Sequence, residues 1–537
     1  MLKFDSLNHP YSSRRSVTMA RNGMVATSQP LAANAGLEIL KQGGNAIDAA
    51  VATAACLTVV EPTSNGIGGD AFALVWHQGK LHGLNSSGPS PEQISREALI
   101  KKGYDKVPNF GVLPVTVPGA PASWVELNEQ MGRLPLEKVL EPAIEYARKG
   151  FPITPVLGKN WDRAFNKYKQ EWQGEEYSEW FRVFAPHGRA PMIGEMWSSQ
   201  DHGDTLEKIA ETRGDYFYKG ELADNVDYFF KKYGGYLRGS DLESFTPEWV
   251  DPISLNYRGY DIWEIPPNGQ GIVALMALNI LQHDDFESKE LLSTYHRQIE
   301  ALKLAFIDGK KYITDPHHMK VDIDDLLSED YARERRALIK DEAITPEPGS
   351  PPRGGTVYLA TADGEGNMVS FIQSNYMGFG SGIVLPGTGV AFQNRGCSFS
   401  LDSSHDNVLE SGKKTYHTII PGFMSKGKDP IGPFGVMGGF MQPQGHLQVV
   451  MNTVDFDLNP QAALDAPRWQ WIKDKQVSVE RKLPAHIAEG LYRRGHDINV
   501  SLDSGSFGRG QIIWRDPQSG VLFGGTEPRT DGSIAVY

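Results

Sequence analysis

A chain of 537 residues is too long for one small core and long enough for several domains or one large fused one. Apolar residues make up 40% and charged residues 22%, as in soluble globular proteins, and a net charge of −13 argues against nucleic acid or an anionic membrane as partner, since both need a basic face. The two cysteines, Cys56 and Cys397, exclude a disulfide framework and suit a reducing compartment.

The start, MLKFDSLNHPYSSRR, has no apolar core and no small-residue cleavage site, so no secretory leader is expected and a cytoplasmic location is. Pro30 to Gln42 has helical spacing, with Leu31, Ala35, Ile39 and Leu40 on one side and Gly43-Gly44 as a stop. Asn45 should cap a buried helix from Ala46 to Val60, which Asp48 interrupts and which is too short to cross a bilayer. Phe72–His77 and Leu81–Leu84 read as a hairpin about Gln78-Gly79. A helix-rich middle follows to about residue 340, clearest at Tyr295–Tyr312, with Ile299, Leu302, Ala305 and Phe306 on one face. Thr345 to Gly355 (TPEPGSPPRGG) holds four prolines and three glycines and can form neither helix nor sheet. Strands are expected after it, at Thr356–Ala362, Met368–Ser374 and Gly389–Gln393, then a tight turn at Gly438-Gly439.

The junction Gly354-Gly355-Thr356 raises a chemical possibility. A threonine hydroxyl is a weak nucleophile unless a base stands beside it. A threonine at the head of its own chain carries that base as its free α-amine, whose ordinary pKa is ~7.7–8.0. Reaching that state requires a cut before Thr356, and glycine tolerates the backbone strain such a cut needs. Taken alone, a Gly-Thr pair before a strand is commonplace.

The segment from Gly354 to Val390, with its D-x-x-G-N turn at Asp363–Asn367 and FGSGIV at Phe379–Val384, resembles the start of the small subunit of γ-glutamyltranspeptidases (glutathione hydrolases). Further family-like pieces stand in the family's order: Pro62–Phe72, Ile265–Leu275, Leu304–Pro316, Gly438-Gly439, Leu464–Trp469 and Thr526–Gly532. The resemblance implies an α+β, four-layer αββα N-terminal-nucleophile hydrolase fold, with two stacked antiparallel sheets between helical layers. It implies a large-subunit region, residues 1–355, and a small-subunit region, residues 356–537, paired as a heterodimer around one fused core. It further implies cleavage between Gly355 and Thr356, Thr356 as nucleophile, Ser374 as its hydroxyl partner, and Gly438 and Gly439 as oxyanion-hole donors. Without the resemblance, the glycine pair is only a turn.

The departures concern the acyl group. The family holds a γ-glutamyl α-carboxylate with an arginine, matched here by the arginine-free Leu84–Pro91, and with a serine pair, matched by His417-Thr418. It holds the α-amine with an acidic residue in a stretch that here reads NRGCSFS, Asn394 to Ser400, with Cys397 and Ser398 at the acidic positions, and a nearby asparagine is either replaced by Tyr376 or shifted to Asn375. Tyr376, Asn394, Arg395, Ser398, His417 and Thr418 are therefore the candidate substrate-binding residues. Arg395 reads equally as a fork for a substrate carboxylate and as a surface or ion-paired arginine. His417 reads as a substrate donor or a structural histidine, and Cys397 as a small buried filler.

His317-His318 with Asp315, Asp322, Asp324 and Asp325 match no zinc or EF-hand spacing, so no metal and no cofactor are expected. The function implied is a self-processing γ-glutamyl hydrolase or transferase acting on small γ-glutamyl amides such as glutathione. The alternatives are an acylase for another carboxyacyl amide, glutaryl or a β-lactam side chain, and an unprocessed, non-catalytic binding homologue.

Overall fold

The computed structural model describes residues 15–346 and 355–537. Most of the proline-rich segment 345–355, with Gly354, lies outside the described residues. Within them, two seven-stranded antiparallel sheets stack face to face. The first runs in the order Ser533–Val536, Gly23–Thr27, Gly355–Asp363, Met368–Tyr376, Asp70–His77, Lys80–Ser86, Glu248–Val250. The second runs Thr18–Ala20, Leu522–Thr526, Arg509–Arg515, Asp429–Met437, Gly422–Lys426, Tyr260–Glu264, Ile253–Tyr257. Phe72, Leu74, Tyr358, Ile372, Phe423, Met437 and Ile513 fill the space between them. Alternation along each strand sends the other set of side chains outward, where helices cover them.

Each helical layer follows from sequence. Ala46–Val60 is buried along its whole length, as its unbroken small and apolar run requires, and Asn45 and Asp48 form a capping box at its start. The outer layer of the other sheet is Gly271–Leu281, Leu292–Tyr312 and Met441–Val454, whose apolar faces share one core. The hairpin turns at Gln78-Gly79 with both residues at positive φ, 50° and 78°, the arrangement that matches strand twist. The D-x-x-G-N turn works through its acid: Asp363 Oδ1 accepts the Glu365 and Asn367 N–H groups at 3.0 Å, and Oδ2 accepts Ala46 N–H at 3.0 Å. The turn thus ties the two central strands to the head of the buried helix.

One expected strand does not form. Gly389–Gln393 makes only isolated bridges, Ala391 with Val384 and Phe392 with Gly68, because its neighbours on both sides are loops. Asp315 caps a single 3-10 turn at Pro316–His318, and Asp322 caps the short helix Ile323–Leu326. Among the described residues no helix is long and apolar enough to cross a membrane.

Candidate active site

Thr356 is the second residue of a central strand and is fully buried. Gly355 pairs with Tyr376 and Val357 with Gln373, so Ser374 and Asn375 together oppose Thr356. This bulge turns the Ser374 hydroxyl onto the threonine: Ser374 Oγ lies 3.1 Å from Thr356 Oγ1. Tyr376 N–H donates to Ser374 Oγ at 2.8 Å and fixes it from the far side. Tyr376 adopts φ 73°, a region costly for an aromatic residue that persists only where the surroundings hold it.

What holds Tyr376 is Arg395. The guanidinium carbon sits 4.1 Å from the centre of the Tyr376 ring. Arg395 is 1% exposed, and its Nη1 donates to Thr418 Oγ1 at 2.7 Å. It is therefore no surface arginine, which leaves a substrate fork or an ion-paired arginine. Its Nε stands 3.9 Å from Asp70 Oδ2, which in turn lies 3.0 Å from His417 Nε2. Asp70 pairs directly across the sheet with Ser374, so the two side chains share a face beside the threonine. Burial drives the charges here: it pushes the Asp70 carboxyl up to about 7 against the pull of Arg395. Burial, then Arg395 and Lys414, hold His417 well below its ordinary value.

Gly438 and Gly439 stand between the strand Asp429–Met437 and the helix Met441–Val454, with φ of 135° and 60°. Only glycine adopts such backbone cheaply, and a helix start favours negative charge nearby. Gln270 joins this turn to Thr418 and Tyr416: its Nε2 donates to Gly439 O at 3.0 Å and to Thr418 O at 2.6 Å, and its Oε1 accepts Tyr416 Oη–H at 2.9 Å. A continuous chain of contacts therefore runs Thr356, Ser374, Tyr376, Arg395, Thr418, Gln270, Gly439.

The structure does not bring every expected residue to this chain. Asn394 is a clip: its Nδ2 donates to Asn109 O at 2.7 Å and its Oδ1 accepts Met377 N–H at 3.2 Å. Ser398 and Cys397 line a cavity of about 1230 Å³ with Tyr376, Tyr416, Phe440 and the segment Ile344–Pro346. Cys397 is thus half-buried at a cavity wall and is not core filler. Two residues went unnoticed in the sequence, Asp70 and Gln270, although both lie in family-like stretches. A lone acid after GIGG, opening an otherwise apolar strand, was the available signal.

Among the described residues, His296, Glu300 and His496 place ligand-type atoms within 4.8 Å of one another. Lys303 Nζ already stands among them, 2.6 Å from Glu300 Oε1 and 3.5 Å from His496 Nδ1, and supplies the positive charge itself. The cluster grips backbone: His296 Nε2 meets Lys340 O at 2.7 Å, and Ile344 N–H donates to Glu300 Oε2 at 3.1 Å.

Two stacked antiparallel sheets between helical layers, with a threonine at the head of a central strand, make this an N-terminal-nucleophile hydrolase, an enzyme of the amidohydrolase kind. The Gamma-glutamyltranspeptidase family model matches residues 32–537, and the chain belongs to that family. The crystal structure of a cephalosporin acylase from Bacillus halodurans superposes with a TM-score of 0.98 at 64% identity, covering 100% of this chain and 99% of that one. The Glutathione hydrolase-like YwrD proenzyme of Bacillus subtilis is 37% identical over 526 residues, covering 95% of this chain and 97% of the relative. The Oxamate amidohydrolase proenzyme of Klebsiella pneumoniae is 33% identical over 536 residues, covering 97% and 100%.

Proposed function

We propose that the chain cuts itself between Gly355 and Thr356 and then hydrolyses a carboxyacyl amide through an ester on Thr356. In the first step Thr356 Oγ attacks the Gly355 carbonyl carbon, the C–N bond breaks, and the threonine nitrogen takes the hydroxyl proton. Water opens the resulting ester, leaving a Gly355 carboxylate and a free threonine amine. In turnover that amine takes the Oγ proton while Oγ attacks the substrate carbonyl. The tetrahedral oxyanion faces the Gly438 and Gly439 N–H groups, and collapse expels the amine product with the proton. Water then releases the acid. The mature unit is a heterodimer of residues 1–355 and 356–537.

The observation that carries this reading is the buried Thr356–Ser374 hydroxyl contact at 3.1 Å at the head of a strand that follows the proline-rich segment. The cavity wall at Ile344–Pro346 supports it, since the segment that must be cut starts there. An acylase is favoured over a γ-glutamyl enzyme because Cys397 and Ser398 offer no carboxylate for an α-amine, and Asp70 already faces His417 and Arg395. The similarity to a cephalosporin acylase points the same way. Cleavage of glutathione is the second reading, favoured by the family alone.

The test is a denaturing gel with intact mass for the wild type and Thr356→Ala. Two fragments, the smaller starting at Thr356, are expected from the wild type and one uncut chain from the variant. An uncut wild type would leave a non-catalytic binding protein. Rates on glutaryl- against γ-glutamyl-p-nitroanilide then separate the two enzymatic readings.

A further inference from the structure

Arg395 is fully buried, yet among the described residues its Nε and Nη2 have no hydrogen-bond partner. These two nitrogens form one edge of the guanidinium, spaced to donate side by side to both oxygens of a carboxylate. Nη1, on the other edge, is spent on Thr418, and the Tyr376 ring covers the face. A buried guanidinium with an open edge is a costly arrangement unless a ligand completes it. Asp70 does not complete it: Oδ2 lies 3.9 Å from Nε, too far for a hydrogen bond, and is bound instead at 3.0 Å to His417. Only donors are left open on Arg395, so the missing partner is an acceptor.

A carboxylate on that edge would stand within roughly 5 Å of Asp70, and two carboxylates so placed in a dry site cannot both stay ionised. Besides Arg395 and His417, the charged or titratable groups that bear on Asp70 are Lys414 and Tyr218. Lys414 is committed to Glu248 at 2.7 Å, and Tyr218 donates its hydroxyl to Pro118 O at 2.9 Å. That leaves the hydrogen-bonded pair Asp70–His417 to absorb the added charge.

We propose that the acyl chain of the substrate ends in a carboxylate docked on the Nε/Nη2 edge of Arg395, and that Asp70 with His417 takes up one proton when it docks. This rests on the amidase reading above and names the residue that holds its acyl carboxylate and the proton that comes with it. Arg395 is then the binding residue and Asp70 a specificity residue that acts through it. The direction with pH follows from the raised Asp70 carboxyl, which is neutral below about 7 and an anion above it. Docking of an anionic acyl group is favoured below that point and falls about tenfold per pH unit above it.

The nucleophile's own titration affects every substrate, so the readout is a ratio: kcat/KM for glutaryl- over butyryl-p-nitroanilide on the mature protein, from about pH 6 to about pH 9. The wild-type ratio should fall by at least about tenfold across that range. Asp70→Asn should hold it flat and high, and Arg395→Gln should bring it near one at every pH. A flat wild-type ratio, or one that still falls in Asp70→Asn, overturns the proposal. Calorimetry needs no variant: at about pH 8, dicarboxylates from oxalate to adipate are titrated into wild type in two buffers of different ionisation enthalpy. Uptake of close to one proton with the best-fitting member supports the coupling. Binding without proton uptake, or no binding of any member, overturns it. An uncut chain, or one inert to both anilides, counts against the amidase reading instead, and the calorimetry still decides this one.

Discussion

At the scale of single residues, the site is built on one hydroxyl meeting another. Ser374 Oγ is held by Tyr376 N–H at 2.8 Å and faces Thr356 Oγ1 at 3.1 Å. A hydrogen bond to a group that develops charge is worth about 1.5–3 kcal/mol. Ser374→Ala should therefore slow both self-cleavage and turnover by roughly 10- to 100-fold, read from fragment appearance on a gel and from kcat. Ser374→Thr keeps the hydroxyl and should recover most of the rate. Serine at this position was legible only through the family resemblance, which sets a hydroxyl partner of the threonine there. Arg395 was not fully legible: its type suggests a carboxylate, but only its burial and its open edge separate a ligand from a surface ion pair.

At the scale of elements, backbone approach positions the site. The loop Gly66–Gly69 packs against the end of the Met368–Tyr376 strand, and a Cβ at Gly69 would meet Ser374 O at 2.7 Å and Asn375 Oδ1 at 2.9 Å. The first contact is with backbone and cannot be relieved by a rotamer change. Gly69→Ala should push Ser374 off Thr356, lowering the self-cleavage rate more than the melting temperature; equal loss of both would make the glycine merely structural. Glycines in this stretch are obvious in the sequence, yet which atoms they make room for depends on strand register. Helices with an unbroken pattern were legible: Ala46–Val60 forms with the expected ends. Gly389–Gln393 failed as a strand because its residue types suit one but no partner strand lies beside it.

At the scale of the molecule, residues 1–355 and 356–537 cannot form separate cores. Gly23–Thr27 pairs with Gly355–Asp363, and Asp70–His77 pairs with Met368–Tyr376, inside one sheet. The cut products should therefore co-elute on native size exclusion and separate only in denaturant. A buried ion network closes the far end: Arg468 Nη2 meets Glu527 at 2.9 Å, and Arg529 meets Glu527 and Glu480 at 2.6 Å each. Burial alone would raise the Glu527 carboxyl, but Arg468 and Arg529 outweigh it and hold it below the usual range. A depressed carboxyl lends stability that is present above its unfolded pKa and lost as pH falls through the folded one. Glu527→Gln should thus lower the apparent melting temperature at neutral pH, costing about 3–5 kcal/mol, with the gap from wild type narrowing in acid.

The sequence by itself carried the layered fold, which forms as two stacked antiparallel sheets, and pointed to Thr356 and a cut before it, through motifs in the order of a known family rather than through apolar spacing. Only the tertiary structure decided which groups gather around Arg395. Asp70, Arg395 and His417 come from three distant segments, and their charges depend on burial and on distances of 3.9 and 3.0 Å that no spacing in the chain encodes. Long-range electrostatics in a dry site is a property of the packed molecule, so no motif along the chain foretold it.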